Sequence, residues 1–502
     1  MIIDLHQTLY RTIALKGCDS ALVRSCAAFL LICCLALRLP SLAGHQNINQ
    51  QKSGFRKTSS HVVLITINGL GADFVNRPEI LKAHAPFMHN LIEKGSHAYS
   101  TETVYPSLTL PAHASIVTGM LPADHSITAD FSFDDPAGKS ALQNQKKFLQ
   151  ASEIKGGEPI WETASRNGLA VASVGFPLTV GAGIKFNVKA GFSDLPDKES
   201  DFKPETLLAG IEPESLTLQL SSVLSKVVVP DKKRIKAISH FLKADLFRAA
   251  AASLIMENYK PGLMLVNLGS FAEAEEHFGL SSGETFEVLE SIDRLIEQIA
   301  GSLEKGGIQS GTTLIIASDR GYLKTEQSFN PNVLLAKKGF LSTDGDGKIS
   351  SWRAIAQSFG GSAAIFINPA QDDQLAGQVF KIFNDYYQKA DSPIWRIINR
   401  REAVRLGADP IPAFYIDAAP GHSISARILS PVFSASGTRA VSGGLPSRAE
   451  IRAVLILSGS GIKPGFTLEY ARLIDIAPTI ARLFGIEMRT VRGRVLSEAI
   501  VQ

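Results

Sequence analysis

The feature that most constrains this chain is a series of short, apolar strand patterns separated by helical patterns. The first, His61–Ile67, is a run of β-branched and apolar residues that ends at Asn68-Gly69, which is typical of a buried strand leading into a loop. Similar runs recur at Ala170–Val174, Leu263–Leu268, Thr312–Ala317, Ser362–Ile367 and Ala453–Leu457. Helical patterns lie between them, at Pro86–Lys94, Thr285–Leu303 and Ile474–Phe484. Alternating strands and helices predict an α/β fold with a mostly parallel sheet flanked by helices.

Composition is compatible with a sizeable core. Of the 502 residues, 45% are hydrophobic and 20% are charged, which is close to average usage in globular proteins. The net charge is only +3, so the chain lacks the strong positive charge of a dedicated nucleic-acid binder. No nucleic-acid partner is therefore predicted.

The N-terminus has the pattern of an export signal. A weakly basic lead precedes the apolar run Ala27–Leu37, which has the length of a signal-peptide core rather than of a membrane span. Small residues follow and end at Ala43, where we expect cleavage. The predicted divisions are a signal peptide over 1–43, a polar linker over 44–60 and a periplasmic or secreted domain over 61–502. The alternative is an uncleaved signal, which would anchor the chain in a membrane.

All four cysteines precede the expected cleavage point; they are Cys18, Cys26, Cys33 and Cys34. The mature chain would therefore have no disulfide, no thiolate ligand and no cysteine nucleophile. That composition suits an oxidising compartment.

Two segments look inserted into the α/β framework. Asn187–Lys236 is irregular and charged, and Ser328–Val441 carries its own short elements, so we interpret the second as a cap. Within the cap, Ser342–Lys348 resembles the start of a calcium loop but lacks the downstream acidic ligand. A hairpin turn is favoured there.

Polar residues follow three of the predicted strands. Asn68 ends the first strand, Glu273 and His277 follow the third, and Asp319 follows the fourth. In parallel sheets, functional residues gather at the carboxyl ends of the strands. We therefore expect these four residues to converge at one edge of the sheet.

The stretch Tyr105–Gly119 contains the most informative local pattern. Pro111 suits the first turn of a helix and Gly119 its C-terminus, so Thr109 lies at or next to the N-cap. A helix N-terminus attracts anions, and a hydroxyl placed there can attack a bound phosphoryl group when a metal ion or a base ionises it. From this local pattern alone, a plain helix cap is favoured over a nucleophile.

Several motifs together resemble one known family. They fall in the order Ile67–Leu70, Tyr105–Gly119, Pro122–His125, Ala317–Gly321 and Ile474–Ala481. This order is similar to that of the alkaline phosphatase superfamily, and most similar to its type I phosphodiesterase/nucleotide pyrophosphatase branch. The resemblance covers about His61 to Ala499. Sulfatases share the fold, but their Cys/Ser-x-Pro-x-Arg motif is absent.

The resemblance implies an alkaline phosphatase-like fold and a two-zinc mechanism. One zinc ion would activate the hydroxyl of Thr109, the other would activate water, and a phosphothreonine intermediate would form and then be hydrolysed. Usable donors remain at three ligand positions, Glu273, His277 and Asp319. Three other ligand positions have lost the family's Asp or His and are now Asn68, Arg320 and Ser442.

These replacements weaken the implied metal cage. The amide oxygen of Asn68 is a poor zinc ligand beside a carboxylate, and Arg320 stays protonated with no lone pair to donate. Glu273, Asp319 and Arg320 carry −1, −1 and +1, a sum of −1, where the family's three carboxylates sum to −3. We expect at most one weakly bound zinc ion, or two if the family site is functional.

Arg320 suggests a specific hypothesis. Its guanidinium would take the place of the missing metal, pair with Asp319 and bind a phosphate or sulfate group beside Thr109. The alternative is a surface salt bridge in a loop that has drifted.

Three functions follow from these residues. The first is an exported phosphodiesterase-like protein with weak or no hydrolase activity, retained as a binding or scaffold protein of the cell envelope. The second is an active metal-dependent hydrolase of phosphodiesters or pyrophosphates that uses Thr109. The third is a non-enzymatic binder of anionic ligands that uses Arg320. The predicted partner is a phosphate ester or another anionic small molecule, and a membrane only if the signal is uncleaved.

Overall fold

The computed structural model describes residues 57–131, 150–189, 195, 199–229, 233–345 and 347–501. The predicted signal peptide and most of the predicted linker lie outside these residues. Within the described part of the chain, no helix has the length and apolar character needed to cross a membrane.

Strands and helices alternate along the described chain. The strands are β1 (His61–Ile67), β2 (Ser96–Ala98), β3 (Thr101–Glu102), β4 (Val171–Val174), β5 (Phe186–Val188), β6 (Leu263–Leu268), β7 (Thr312–Ser318), β8 (Leu323–Phe329), β9 (Leu341–Thr343), β10 (Ile349–Trp352), β11 (Ala354–Ser358), β12 (Ser362–Ile367), β13 (Ile394–Asn399), β14 (Phe414–Ala418), β15 (Gly421–Ile424), β16 (Phe433–Ala435), β17 (Ala440–Val441), β18 (Leu455–Gly459), β19 (Phe466–Leu468) and β20 (Ala471–Arg472). The α-helices are Ala72–Val75, Pro78–His84, Pro86–Lys94, Thr109–Thr118, Pro122–His125, Ile160–Arg166, Glu214–Leu224, Ser239–Tyr259, Ser270–Phe278, Gly283–Lys305, Pro331–Lys337, Asp373–Tyr387, Arg400–Arg405 and Ile476–Phe484.

The main sheet has eight strands in the order β19-β2-β18-β7-β1-β6-β4-β5. Strands β7, β1, β6, β4 and β5 run parallel to one another, whereas β18 is antiparallel to both β7 and β2. The predicted α/β fold with a mostly parallel sheet is confirmed. Parallel neighbours need crossover connections, which the intervening helices supply.

Both faces of the main sheet are covered by helices. Alternate side chains of β1 point to opposite faces, so Val63 and Ile65 enter one core and Val62 and Leu64 the other. The first core includes the helices Ser239–Tyr259 and Gly283–Lys305. The second core includes the helices Thr109–Thr118 and Ile476–Phe484. This double covering explains why β1 is apolar at almost every position.

The region predicted as a cap contains a second sheet and a third core. Strands β11, β12, β14 and β13 form an antiparallel sheet in that order, packed with the helices Pro331–Lys337 and Asp373–Tyr387. The pattern Ser362–Ile367 does form a strand, β12, but in this second sheet rather than in the main one. An apolar run specifies burial and not its pairing partner, which explains why the pattern did not separate the two sheets.

Of two further predictions, the hairpin in the cap is confirmed and the start of the first insertion is wrong. Strands β9 and β10 form an antiparallel hairpin, and Asp344 Oδ1 accepts a hydrogen bond from Lys348 N at 2.8 Å across its turn, so the predicted hairpin is confirmed. Asn187 was expected to begin an irregular insertion. It lies instead within β5, the edge strand of the main sheet, and Glu214–Leu224 is a helix.

Candidate active site

Thr109 is the first residue of the helix Thr109–Thr118. Leu108 precedes it in an extended conformation, with φ −122° and ψ 161°, and Gly119 ends the helix in the left-handed region, with φ 67° and ψ 21°. The hydroxyl of Thr109 accepts a hydrogen bond from Arg320 Nη1 at 2.8 Å. Thr109 therefore sits at the helix start, as predicted, but its hydroxyl faces a guanidinium.

A buried polar network supports this helix from the sheet. His113 Nδ1 donates to the carbonyl oxygen of Thr109 at 2.8 Å, because a carbonyl only accepts. His113 Nε2 then accepts hydrogen bonds from Thr66 Oγ1 at 3.0 Å and from Asn267 Nδ2 at 3.1 Å. Burial lowers the pKa of His113. A neutral His113 therefore fixes the position of the Thr109 backbone.

Arg320 and Asp319 form a buried pair beside Thr109. Nη1 of Arg320 donates to Asp319 Oδ2 as well as to Thr109, and the other oxygen of Asp319 accepts from Gly69 N at 2.9 Å. Arg320 is only 4% exposed and Asp319 is fully buried. The alternative of a surface salt bridge in a drifted loop is therefore wrong.

Two further groups extend the network from Arg320. Its Nη2 donates to the hydroxyl of Tyr322 at 3.0 Å, and that hydroxyl donates to Glu276 Oε1 at 2.6 Å. Burial opposes the charge of Arg320, but Asp319 and the other acidic groups outweigh it and raise the pKa of Arg320. The guanidinium is therefore the fixed positive charge of this site.

Glu275 lies at the same place without a charged partner of its own. It is 1% exposed, and its Oε2 has no hydrogen-bond partner among the described residues. Burial raises the pKa of Glu275 well above its usual value, against the opposing charge of Arg320. Sequence reasoning missed Glu275, Glu276 and Tyr322, although Glu276 is next to His277 and Tyr322 is two residues after Arg320.

The residues that face Thr109 do not fit a pair of zinc ions. The side-chain oxygen of Asn68 accepts from Asn267 Nδ2 at 2.7 Å, and both oxygens of Asp319 accept hydrogen bonds from Arg320 and Gly69. A zinc ion would need carboxylate or imidazole donors here, and Arg320 places a positive charge among them.

The two remaining predicted ligands and the lost ligand position Ser442 lie in two cavities. Glu273 and His277 line one of about 650 Å³, together with Glu276 and Arg439, whereas Ser442 lines one of about 450 Å³. Across the described residues, no group of three or more His, Cys, Asp or Glu side chains is placed to hold a metal ion. The segments that carry Asn68, Asp319 and the helix with Glu273 and His277 do follow the carboxyl ends of the adjacent parallel strands β1, β7 and β6, as predicted. Glu273 and His277 share one helix face, four residues apart, while Asp319 is held by the guanidinium.

Asp130 is a further residue at the site that sequence reasoning missed. Its Oδ1 accepts a hydrogen bond from the backbone N–H of Leu110 at 2.8 Å, and it lines the cavity of about 450 Å³ with Leu108, Glu276 and Ser442. Burial raises the pKa of Asp130. Asp130 lies twenty residues after Leu110 in the sequence. No local sequence pattern therefore predicts their contact.

Comparison with known proteins gives a family match over most of the chain. The family model described as type I phosphodiesterase / nucleotide pyrophosphatase matches residues 62–436. An uncharacterised pyrophosphatase/phosphodiesterase of Schizosaccharomyces pombe is 29% identical over 198 residues, 36% of this chain and 38% of that protein. Human ectonucleotide pyrophosphatase/phosphodiesterase family member 1 is 23% identical over 277 residues, 55% of this chain and 25% of that protein. The matched regions thus span well under two thirds of either relative.

Solved structures share the fold. Human ectonucleotide pyrophosphatase/phosphodiesterase 5 superposes with a TM-score of 0.60 at 16% identity and covers 88% of this chain and all of its own. An inactive variant of the murine protein of the same name, in complex with AMP, gives a TM-score of 0.59 at 15% identity, again over 88% of this chain and all of its own. These likenesses show an alkaline phosphatase-like fold.

Proposed function

Because the chain belongs to the type I phosphodiesterase / nucleotide pyrophosphatase family, we propose that it is a member with weak or no hydrolase activity. The observation that carries this proposal is the hydrogen bond from Arg320 Nη1 to Thr109 Oγ1. A guanidinium occupies the place from which an activating metal ion would act on that hydroxyl. It donates a hydrogen bond to the oxygen and accepts no proton, so it does not serve as a base.

The charges around Thr109 support the same conclusion. Asp319 is neutralised by Arg320, and Asn68 is neutral and bonded to Asn267. In a functional two-metal site, several carboxylates compensate two dications. Here a positive charge comes from the protein itself, and the carboxylate of Asp319 is already paired with it.

A binding or scaffold function in the cell envelope is the remaining part of this proposal. It rests on the predicted export signal over 1–43 and on the cavity of about 450 Å³ beside Leu108. The murine relative that binds AMP makes a nucleotide phosphate ester the first ligand class to test.

The direct test combines metal analysis with an assay of phosphodiester hydrolysis. The purified protein is dialysed against zinc, its metal content is measured, and hydrolysis of bis(p-nitrophenyl) phosphate is compared with that of Thr109→Ala. We expect less than one zinc ion per chain and rates within about tenfold of the variant, a difference of about 1.4 kcal/mol in barrier. Stoichiometric zinc together with hydrolysis that Thr109→Ala abolishes would establish the active hydrolase instead.

A restored ligand set is the complementary test. Asn68→Asp, Arg320→His and Ser442→His together should raise zinc affinity if these three positions correspond to the family's ligands. A matched control replaces an exposed arginine by histidine, as in Arg396→His, and should leave zinc affinity unchanged. No gain in the triple variant would contradict the correspondence, above all at Ser442.

A further inference from the structure

The start of the helix Thr109–Thr118 already holds an anion that belongs to the protein. The N–H of Leu110 donates to Asp130 Oδ1 at 2.8 Å, and the N–H of Thr109 also stabilises this carboxylate. These N–H groups have no partner within the helix and are the ones that a helix N-terminus offers to a phosphate group. Asp130 therefore occupies the place where an external anion would bind.

Arg320 independently marks the same place as an oxyanion site. It is 4% exposed, its guanidinium reaches Thr109 at the first helical position, and its Nε has no hydrogen-bond partner among the residues that the structure describes. A buried guanidinium with an unused N–H, next to a helix N-terminus, is suited to an oxyanion. Asp130 and Arg320 also attract each other electrostatically.

A cavity lies beside Asp130. It measures about 450 Å³ and is lined by Leu108, Asp130 and Glu276, and by hydroxyl-bearing residues such as Ser358 and Ser442. A phosphate group in this cavity would lie beside two carboxyl groups before it reached the helix N-terminus. Carboxylates beside a phosphate group repel it strongly in a partly desolvated site.

We propose that Asp130 is an internal anion that occupies the phosphate position at the start of the Thr109–Thr118 helix and excludes phosphate groups from the Thr109 site. The inference rests on the proposed function in one respect, since it takes Arg320 rather than metal ions to be the cationic partner. It predicts that the charge of Asp130, and not its shape, sets the affinity for phosphate.

The test measures binding of inorganic phosphate to the full protein by isothermal titration calorimetry near neutral pH, without added metal. Asp130→Asn keeps an oxygen that accepts from Leu110 N but removes the charge. We expect this variant to bind phosphate at least tenfold more tightly than the wild type. Asp130→Ser is the second variant, and it should show a gain of the same sign if Asp130→Asn does not fold. AMP in place of phosphate shows whether a phosphate ester follows the same pattern.

Two controls test whether the gain in phosphate affinity comes from the charge of Asp130 next to Arg320. Asp124→Asn removes one negative charge from a nearby helix, where Asp124 pairs with Arg492, and should leave phosphate affinity unchanged. Adding Arg320→Met to Asp130→Asn should abolish the gain, because Arg320 is the proposed partner of the phosphate. Equal affinity in wild type and Asp130→Asn, no binding by either folded Asp130 variant, or an equal gain in Asp124→Asn would each overturn the inference. A zinc-dependent hydrolase would be recognised by the separate metal and rate measurements above.

Discussion

At the scale of single residues, the neighbours Asp319 and Arg320 decide the chemistry around Thr109. Their side chains are 0% and 5% exposed, so neither charge is stabilised by bulk water. Each depends on the other and on a few hydrogen bonds, from Gly69 to Asp319 and from Arg320 to Thr109 and Tyr322. A buried pair of this kind is costly to break on one side only.

We therefore predict that Arg320→Met lowers the free energy of unfolding by about 3–5 kcal/mol, because Asp319 would be left as a buried, unpaired charge. Urea unfolding followed by circular dichroism measures this loss. The double variant Asp319→Asn/Arg320→Met should recover most of it.

An exposed ion pair provides the comparison. Arg494 and Glu498 are each 45% exposed and lie four residues apart in sequence, so Arg494→Met should cost less than about 1 kcal/mol. Losses at Asp319 and Arg320 that simply add in the double variant would contradict the coupling proposed here.

At the scale of elements, the Thr109–Thr118 helix is unusual because it is buried on all sides. Its residues from Leu110 to Thr118 are all buried, so it lacks the polar face from which helical periodicity is normally recognised. Its ends were identified from Pro111 and Gly119 instead. The helix is held against Ile474–Phe484 on one side and against His113's polar network on the other.

Gly119→Ala should destabilise the protein by about 1–2 kcal/mol, because a residue with a Cβ resists the left-handed conformation at φ +67°. The added Cβ would also lie 3.1–3.3 Å from Val491, Ile474 and Pro478. Thermal or urea unfolding measures the change.

Gly301→Ala is the matched control for this prediction. Gly301 lies inside the helix Gly283–Lys305, and an added Cβ there would have no atom within 4 Å. Alanine should therefore stabilise the helix by roughly 0.5–1 kcal/mol. The same sign of effect at Gly119 and Gly301 would show that backbone conformation does not govern the helix end.

At the scale of the whole molecule, the second sheet is tied to the segment that carries Thr109. Tyr105 is fully buried in the third core, with its ring 5.4 Å from that of Tyr415 on β14. Nearby, Asp417 on β14 lies 3.5 Å from Arg448, and both are almost fully buried. The Asp417 oxygens have no hydrogen-bond partner among the described residues.

This buried carboxyl should make stability depend on pH. Burial raises the pKa of Asp417 to about 7 against the opposing charges of Arg448 and Arg396, whereas an unfolded chain ionises near 3.8. Between these values the folded state binds the extra proton, so raising the pH favours unfolding. Compared with Asp417→Asn, the wild type should lose up to about 4 kcal/mol of stability from pH 4 to pH 7, and little more above that.

Urea titrations of both proteins across this pH range measure the difference directly. Groups that titrate in both proteins cancel in the comparison, including His125, whose pKa burial lowers to about 3. A difference that is flat with pH, or that grows in favour of the wild type as the pH rises, would count against the raised pKa of Asp417.

Much of this architecture follows from local sequence pattern. The strands His61–Ile67, Leu263–Leu268 and Ser362–Ile367 have the predicted bounds, as does the helix Pro86–Lys94. Local patterns succeed there because side-chain periodicity and turn residues act within a few positions of the chain. The pairing of Arg320 with Asp319 was also predicted and is confirmed.

The sequence by itself determined the alternation of strands and helices, the ends of the Thr109 helix and the family to which the chain is similar. Only the tertiary structure decided that Ser362–Ile367 joins a second sheet, that Glu273 and His277 line a cavity with Arg439, and that Asp130 reaches Leu110. These facts depend on which surfaces pack together across long stretches of chain. Periodicity encodes burial, but it does not encode the partner that each buried group meets.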